Sequence, residues 1–207
     1  DSVWLTGSGQ KHSQLLKFTR EGKFLQQFGK PGMNRGSADT SNLGQPANLT
    51  VDPVSNEVYV ADGYGNRRVI VLDADTFAFK RMWGAYGNKP DDTPLGPFNP
   101  DAPPTQQFRL PHNIAISRDG FVYVADRPNN RIQVFRKDGI YVNEVFVSKR
   151  TLLQGAASGF ALSTDPEQRW LYMIDGANHH VWILERQSLR IVARFGQQGL
   201  WGGALNV

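Results

Sequence analysis

Cysteine is absent from all 207 residues, which excludes disulfide staples, thiolate nucleophiles and thiolate metal ligands. No apolar run approaches the length of a membrane-crossing helix, and the N-terminus lacks the charged-then-apolar pattern of a secretion signal. Also missing are a phosphate-cradling Gly-Lys loop, a Gly-x-Ser-x-Gly elbow and a plausibly spaced pair of carboxylates, so the usual routes to phosphoryl transfer, Ser-based hydrolysis and paired-acid chemistry are closed. No stretch carries the apolar stripe of a surface helix. The net charge of +4 is mild and permits an acidic partner without demanding one. The chain opens on Asp1 rather than Met, which leads us to expect that an upstream segment was removed or left out.

What is present is a repeat. Val58-Tyr59-Val60-Ala61-Asp62 returns as Val122-Tyr123-Val124-Ala125-Asp126 and as Leu171-Tyr172-Met173-Ile174-Asp175, and a weaker copy opens the chain at Val3-Trp4-Leu5-Thr6-Gly7. Each clear copy is followed by a polar loop with Asn and a basic residue (Asn66-Arg67-Arg68, Asn130-Arg131, Asn178-His179-His180) and then by a second apolar strand. Aligning Trp4, Tyr59, Tyr123 and Tyr172 gives steps of 55, 64 and 49 residues, the period of propeller blades.

Alternation and β-branched or aromatic enrichment predict strands throughout, separated by turns such as Arg20-Glu21-Gly22-Lys23, Arg118-Asp119-Gly120 and Lys137-Asp138-Gly139. The expected fold is therefore an all-β propeller of four-stranded antiparallel blades, a solution to the exposed-edge problem. About four blades fall in this single domain, near residues 1–29, 46–84, 110–148 and 158–196, with a final strand at 204–207. The opening unit lacks its innermost strand, while Ala204-Leu205-Asn206-Val207 repeats the inner-strand pattern of Asn48-Leu49-Thr50-Val51. Two arrangements remain open: a ring of four closed by that last strand, or a piece of a larger, six-bladed ring.

Two loops exceed what blades need: Lys30 to Gln45 and Gly84 to Gln107, rich in Gly, Pro and Asp. Antiparallel topology puts the loop after each Val-Tyr-Val-Ala-Asp strand and the connector to the next blade on one face. That face is expected to collect Tyr64, Arg67, Arg68, His112, Arg127, His179, His180 and both long loops.

Asp62, Asp126 and Asp175 recur in every clear blade and are expected to cap the turn that follows; Arg131 and His180, at matching offsets, are expected to pack. Trp83, Trp170, Trp182 and the blade tyrosines read as packing between blades. Adjacent His179 and His180 point to opposite sides of a strand and do not suit one metal. Asn48-Leu49-Thr50 matches a glycosylation acceptor but starts an inner strand. Tyr64, His112 and Arg127 each occur once. Repetition argues for structure and singularity for a site, against the plainer reading of a surface aromatic, a hydrogen-bonded loop histidine and a solvated arginine.

The blade Leu110 to Gly139 (LPHNIAISRDGFVYVADRPNNRIQVFRKDG) resembles the NHL repeat. Together with Gly44 to Asp73, it is similar to the peptidyl-hydroxyglycine α-amidating lyases. In that family a tyrosine in an Asp-Gly-Tyr-x-Asn motif acts on the substrate hydroxyl, a histidine in a Pro-His motif binds zinc, and an arginine in an Ala-Asp-Arg motif lines the pocket. The resemblance thus implies Tyr64 and Arg127 as catalytic residues and His112 as a metal ligand. It implies zinc as cofactor, with calcium as the second ion considered, and an extracytoplasmic or secreted setting.

The family holds zinc with three histidines, each opening an inner strand, whereas this chain has only His112 at such a place, with Asn48 and Ser158-Gly159 at the corresponding ones. Partner histidines would lie in segments outside the chain, and the expectation is an enzyme incomplete as it stands. A carbinolamide collapses to amide and aldehyde given a base near its hydroxyl, and a phenol becomes a usable base beside a cation. Arg127 would supply that charge or grip a carboxylate. Three classes follow: a lyase-like enzyme acting on a peptide, a noncatalytic scaffold binding a peptide, polysaccharide or protein, and, as the lesser alternative, an RNA-binding module using Arg67, Arg68, Lys80 and Arg81. No membrane partner is expected.

Overall fold

The computed structural model describes residues 2–198. Among the described residues, fifteen strands form four antiparallel sheets. The first contains β1 (Ser2–Thr6), β2 (Leu15–Thr19) and β3 (Phe24–Phe28). The second contains β4 (Asn48–Asp52), β5 (Glu57–Asp62), β6 (Arg68–Asp73) and β7 (Phe79–Trp83). The third holds β8 (Pro111–Ile116), β9 (Phe121–Asp126), β10 (Arg131–Arg136) and β11 (Tyr141–Phe146). The fourth holds β12 (Ala157–Leu162), β13 (Trp170–Asp175), β14 (His180–Glu185) and β15 (Ile191–Phe195). Strands pair in sequence order, and the inner strands β4, β8 and β12 neighbour one another, as propeller blades require. The first blade has three strands among the described residues, and the expected final strand at 204–207 lies outside them.

Each seam between blades is a core of its own. Leu15 of the first blade meets Val58, Val60, Ile70 and Leu72 of the second, with Leu43 and Phe77. Tyr59, Val71 and Trp83 meet Ile114, Val124 and Phe135 of the third. Tyr123, Ile132 and Val134 meet Phe160, Leu171, Met173 and Leu184 of the fourth. This explains why β5 is buried at every position: the middle strands of a blade have a neighbour on both faces. Trp83 sits deep in a seam, 5.8 Å from Phe135 and 6.3 Å from Tyr59 by ring centroids, as expected of a packing aromatic.

Ion pairs lock the seams at the end of the strands opposite the long loops. Arg81 grips both Glu57 oxygens, at 2.8 and 2.6 Å, and donates to Lys137 O of the next blade at 2.7 Å. Arg186 does the same across the next seam, bonding Asp119 and the Tyr123 hydroxyl. Among the described residues, helix is confined to short 3-10 turns.

Candidate functional site

The loop-rich face is built on a device repeated in the second and third blades. Asp62, at the end of β5, accepts from Gly44 N–H, from Asn66 Nδ2 at 2.7 Å and from Arg68 Nε at 3.0 Å. Asp126, at the end of β9, accepts from the Arg109 and Leu110 amides, from Asn129 Nδ2 at 2.6 Å and from Arg131 Nε at 3.0 Å. The carboxylates do more than the turn-capping expected of them: each ties the incoming connector to the loop that leaves. Both ion pairs are fully buried. In the fourth blade His180 replaces the arginine, and Asp175 takes Asn178, Ser148 Oγ and Trp182 Nε1 instead.

The two long loops are fixed to the same face. Asp92 accepts Ser37 Oγ at 2.5 Å and Ser37 N–H at 2.7 Å, and Arg67 donates to Thr93 O at 2.6 Å. Arg68 belongs to the interior of this framework, Arg81 is engaged by Glu57, and Lys80 lies within 3.2 Å of Glu57. Of the expected basic patch, Arg68 is thus withdrawn into the interior, while Lys80 and Arg81 are tied to Glu57 with their side chains 35% and 27% exposed.

Tyr64, His112 and Arg127 are brought together. The loop bearing Tyr64 nests against the start of β8 so closely that a Cβ on Gly63 would lie 2.2 Å from Pro111 O. Tyr64 N–H donates to Gln45 O at 3.1 Å. These contacts leave the Tyr64 ring 44% exposed and reachable from solvent, with its hydroxyl 2.9 Å from His112 Nε2. On its other side, His112 Nδ1 lies 2.5 Å from Ser158 O in the fourth blade. A carbonyl can only accept, so Nδ1 carries the proton and Nε2 accepts from the Tyr64 hydroxyl. Burial lowers the His112 pKa below its ordinary value; the Ser158 carbonyl pulls it up and the nearby Arg127 charge pushes it down again. The imidazole is therefore neutral at pH 7.

A bulge aims His112. In β8 the register slips between Pro111 and Asn113, so His112 is the extra residue, and β12 slips in the same way between Ala157 and Gly159, around Ser158. Asn48 and Asn113 both pair with the alanine before the recurrent aspartate, so the second-blade residue matching His112 is Ala47, one place before the Asn48 expected from sequence. Ser158 is the counterpart in the fourth blade. Its carbonyl and Asn113 were missed as site residues; the shared Pro-x-Asn of Pro46-Ala47-Asn48 and Pro111-His112-Asn113 was the available signal.

Two buried polar atoms here lack partners: Arg127 Nε and Asn113 Oδ1, one donor and one acceptor. Such groups are costly to leave unpaired. Arg127 is held by a 3-10 turn at Arg127–Asn129 and by its amide bond to Leu110 O at 3.1 Å. His179 Nδ1 is likewise unpaired, while His180 stacks on Trp182, so the two histidines do not converge.

Among the described residues no three His, Asp or Glu side chains gather in a metal-binding cluster. The histidine-poor donor set, with His112 as the one imidazole and Ala47 and Ser158 at the matching positions, does not fit the three-ligand zinc centre that the resemblance implies.

The model of a family described as "NHL repeat" matches residues 108–135. Human "NHL repeat-containing protein 3" is 34% identical over 143 residues, covering 66% of this chain and 36% of that protein. Xenopus laevis "Peptidyl-glycine alpha-amidating monooxygenase B" is 34% identical over 110 residues, covering 52% of this chain and 11% of that protein. The chain thus spans well under half the length of both. A solved "Streptogramin B lyase structure" superposes with a TM-score of 0.59 at 13% identity, over 94% of this chain and 50% of that one, a likeness of fold alone.

Proposed function

We propose that the loop-rich face of this β-propeller, whose chain carries an NHL-repeat match and is similar to the amidating enzymes, binds the C-terminal end of a peptide, with Arg127 taking the carboxylate and the Tyr64–His112 pair meeting a hydroxyl on the terminal residue. The observation that carries this reading is the buried, partnerless Arg127 Nε, on a turn tied to the start of β8 and electrostatically coupled to the neutral His112 that orients the Tyr64 phenol. A carboxylate satisfies such a nitrogen with a charge-assisted bond. Because Tyr64 donates its own proton to His112 Nε2, its oxygen lone pairs are free to accept a ligand hydroxyl.

This arrangement suits a peptidyl α-hydroxyglycine. The hydroxyl proton would pass to Tyr64 Oη as the Tyr64 proton moves to His112 Nε2. The C–O bond becomes a carbonyl, the C–N electron pair stays with nitrogen and takes a proton from water, and the hydroxide so formed removes the proton from His112, restoring the neutral pair. No metal enters these steps, and the donor set supports binding ahead of turnover.

The test is calorimetric titration with a short peptide ending in α-hydroxyglycine, run beside a glyoxylate-release assay and metal analysis of the purified protein. Binding is expected to weaken about tenfold or more in Arg127→Gln and several-fold in Tyr64→Phe. Absence of binding, or an affinity indifferent to both substitutions, overturns the reading.

A further inference from the structure

Behind the turn that holds Arg127 lies a second cavity, of about 130 Å³, between the 97–105 stretch of the second long loop and the third blade. Its walls include Phe98, Thr105, Arg109, Asn129, Phe146 and Lys149, and no carboxylate lines it. A closed cavity of about 150 Å³ takes a benzene ring, so this slightly smaller hollow, which is partly open to solvent, holds most of one ring and leaves the rest of a ligand at its mouth.

Its charge is unbalanced. Arg131, which also reaches the cavity, is consumed by Asp126, the Tyr86 hydroxyl and Gln107 O. Arg109 is not: its Nε donates to Asn129 Oδ1 at 3.0 Å, and it forms no ion pair among the described residues. Asp126, the nearest acid it senses, is already saturated by Arg131, Asn129 and two amides. Burial holds the Arg109 guanidinium below its ordinary pKa, Asp126 opposes that, and Arg67 and Arg131 add repulsion. Lys149, the other cation, lies 5.3 Å from the Phe146 ring centre, and Arg109 lies 5.9 Å from that of Phe98. The one acid in the 97–105 stretch, Asp101, is paired with Arg150 at 2.7 Å. Two cations are thus steered by aromatic walls into one hollow without a counter-charge.

We propose that this cavity binds a small organic oxyanion, a carboxylate or phosphate borne on a ring-sized apolar body. The oxyanion lies between Arg109 and Lys149, and the body rests against Phe98, Phe146 and the prolines of the loop. Asn129 stands in the same turn as Arg127, so the cavity shares a wall with the site above while using different cations.

Amide and aromatic chemical shifts of the labelled protein, titrated with benzoate, phenyl phosphate, benzyl alcohol and benzylamine, test this. Benzoate or phenyl phosphate is expected to move Phe98, Asn129 and Phe146 signals saturably, and whichever binds tighter identifies the headgroup. Binding should weaken about tenfold in Arg109→Gln and several-fold in Lys149→Gln, fall with added salt, and persist in Tyr64→Phe, which separates this cavity from the peptide site. Equal binding of benzyl alcohol or benzylamine, no response to either anion at about 50 mM, or affinities unchanged in Lys149→Gln and in Arg109→Gln overturns the proposal.

Discussion

Tyr64 and His112 stand 48 residues apart in the chain and meet edge to face, with ring centroids 5.6 Å apart and 2.9 Å between the hydroxyl and Nε2. They belong to neighbouring blades, so the contact exists only when the second and third sheets pack at the observed spacing. Its chemistry depends on His112 being neutral.

The His112 imidazole is expected to titrate below 6.5, because burial and Arg127 disfavour its charge. In the unfolded chain it binds a proton more readily, so its contribution to stability is fully present above pH 6.5 and is lost as pH falls toward the folded pKa. Histidine side-chain NMR checks this: a midpoint below 6.5 in the native protein, moving upward in Arg127→Gln. A midpoint at or above 6.5 contradicts the geometry.

Glu57 gives a second pH dependence with a different window. The Arg81 fork is the main pull on its carboxyl, helped by Tyr59 and Lys80 and opposed by burial, and holds it at about 2 against an ordinary 4.5. A depressed carboxylate stabilises the fold above pH 4.5, and the contribution disappears as pH falls from 4.5 toward 2. Urea midpoints measured across that range should fall more steeply in the native protein than in Glu57→Gln. Parallel curves would show that the pair is electrostatically idle.

Arg131→Met is expected to destabilise the protein by about 3–5 kcal/mol, since it strands Asp126 without its buried partner. Combining it with Asp126→Asn should recover part of that loss, because the charge is removed with it. Denaturant unfolding of the two single variants and the double variant measures the coupling.

Gly155 stands at φ +75°, and a Cβ there would lie 2.0 Å from Arg127 O. Gly155→Ala is therefore expected to cost about 2 kcal/mol or more and to displace the Arg127 turn. Peptide affinity should drop together with stability. An alanine variant of native stability would mean that the connector does not press on that turn.

The architecture could be read from sequence because its signal repeats: one strand phrase with a polar loop, written again at the blade period, leaves few alternatives. Asp62, Asp126 and Asp175 close their strands and still pair in the ladder while their carboxylates serve the loop. The grouping of Tyr64, His112 and Arg127 on one face followed from antiparallel topology. What could not be read was the bulge that ejects His112, because a slipped register leaves no composition signal. The Ser158 carbonyl was invisible for a related reason, being a backbone group whose side chain says nothing of its role. Nor does charge counted along a chain reveal which cations are spent inside: Arg68, one of the four residues of the expected basic patch, lies at zero exposure against Asp62.

His112 is carried by one sheet and held by both neighbours, through Tyr64 on one side and Ser158 on the other. The ring is consequently a rivet through three plates. Tightening or loosening either seam alters the angle at which the phenol is presented, and a molecule wedged beside Tyr64 pulls on a backbone carbonyl two sheets away. Substitutions buried at the Trp83 or Phe160 seams, remote from any ligand, would thereby tune how that hydroxyl meets its guest.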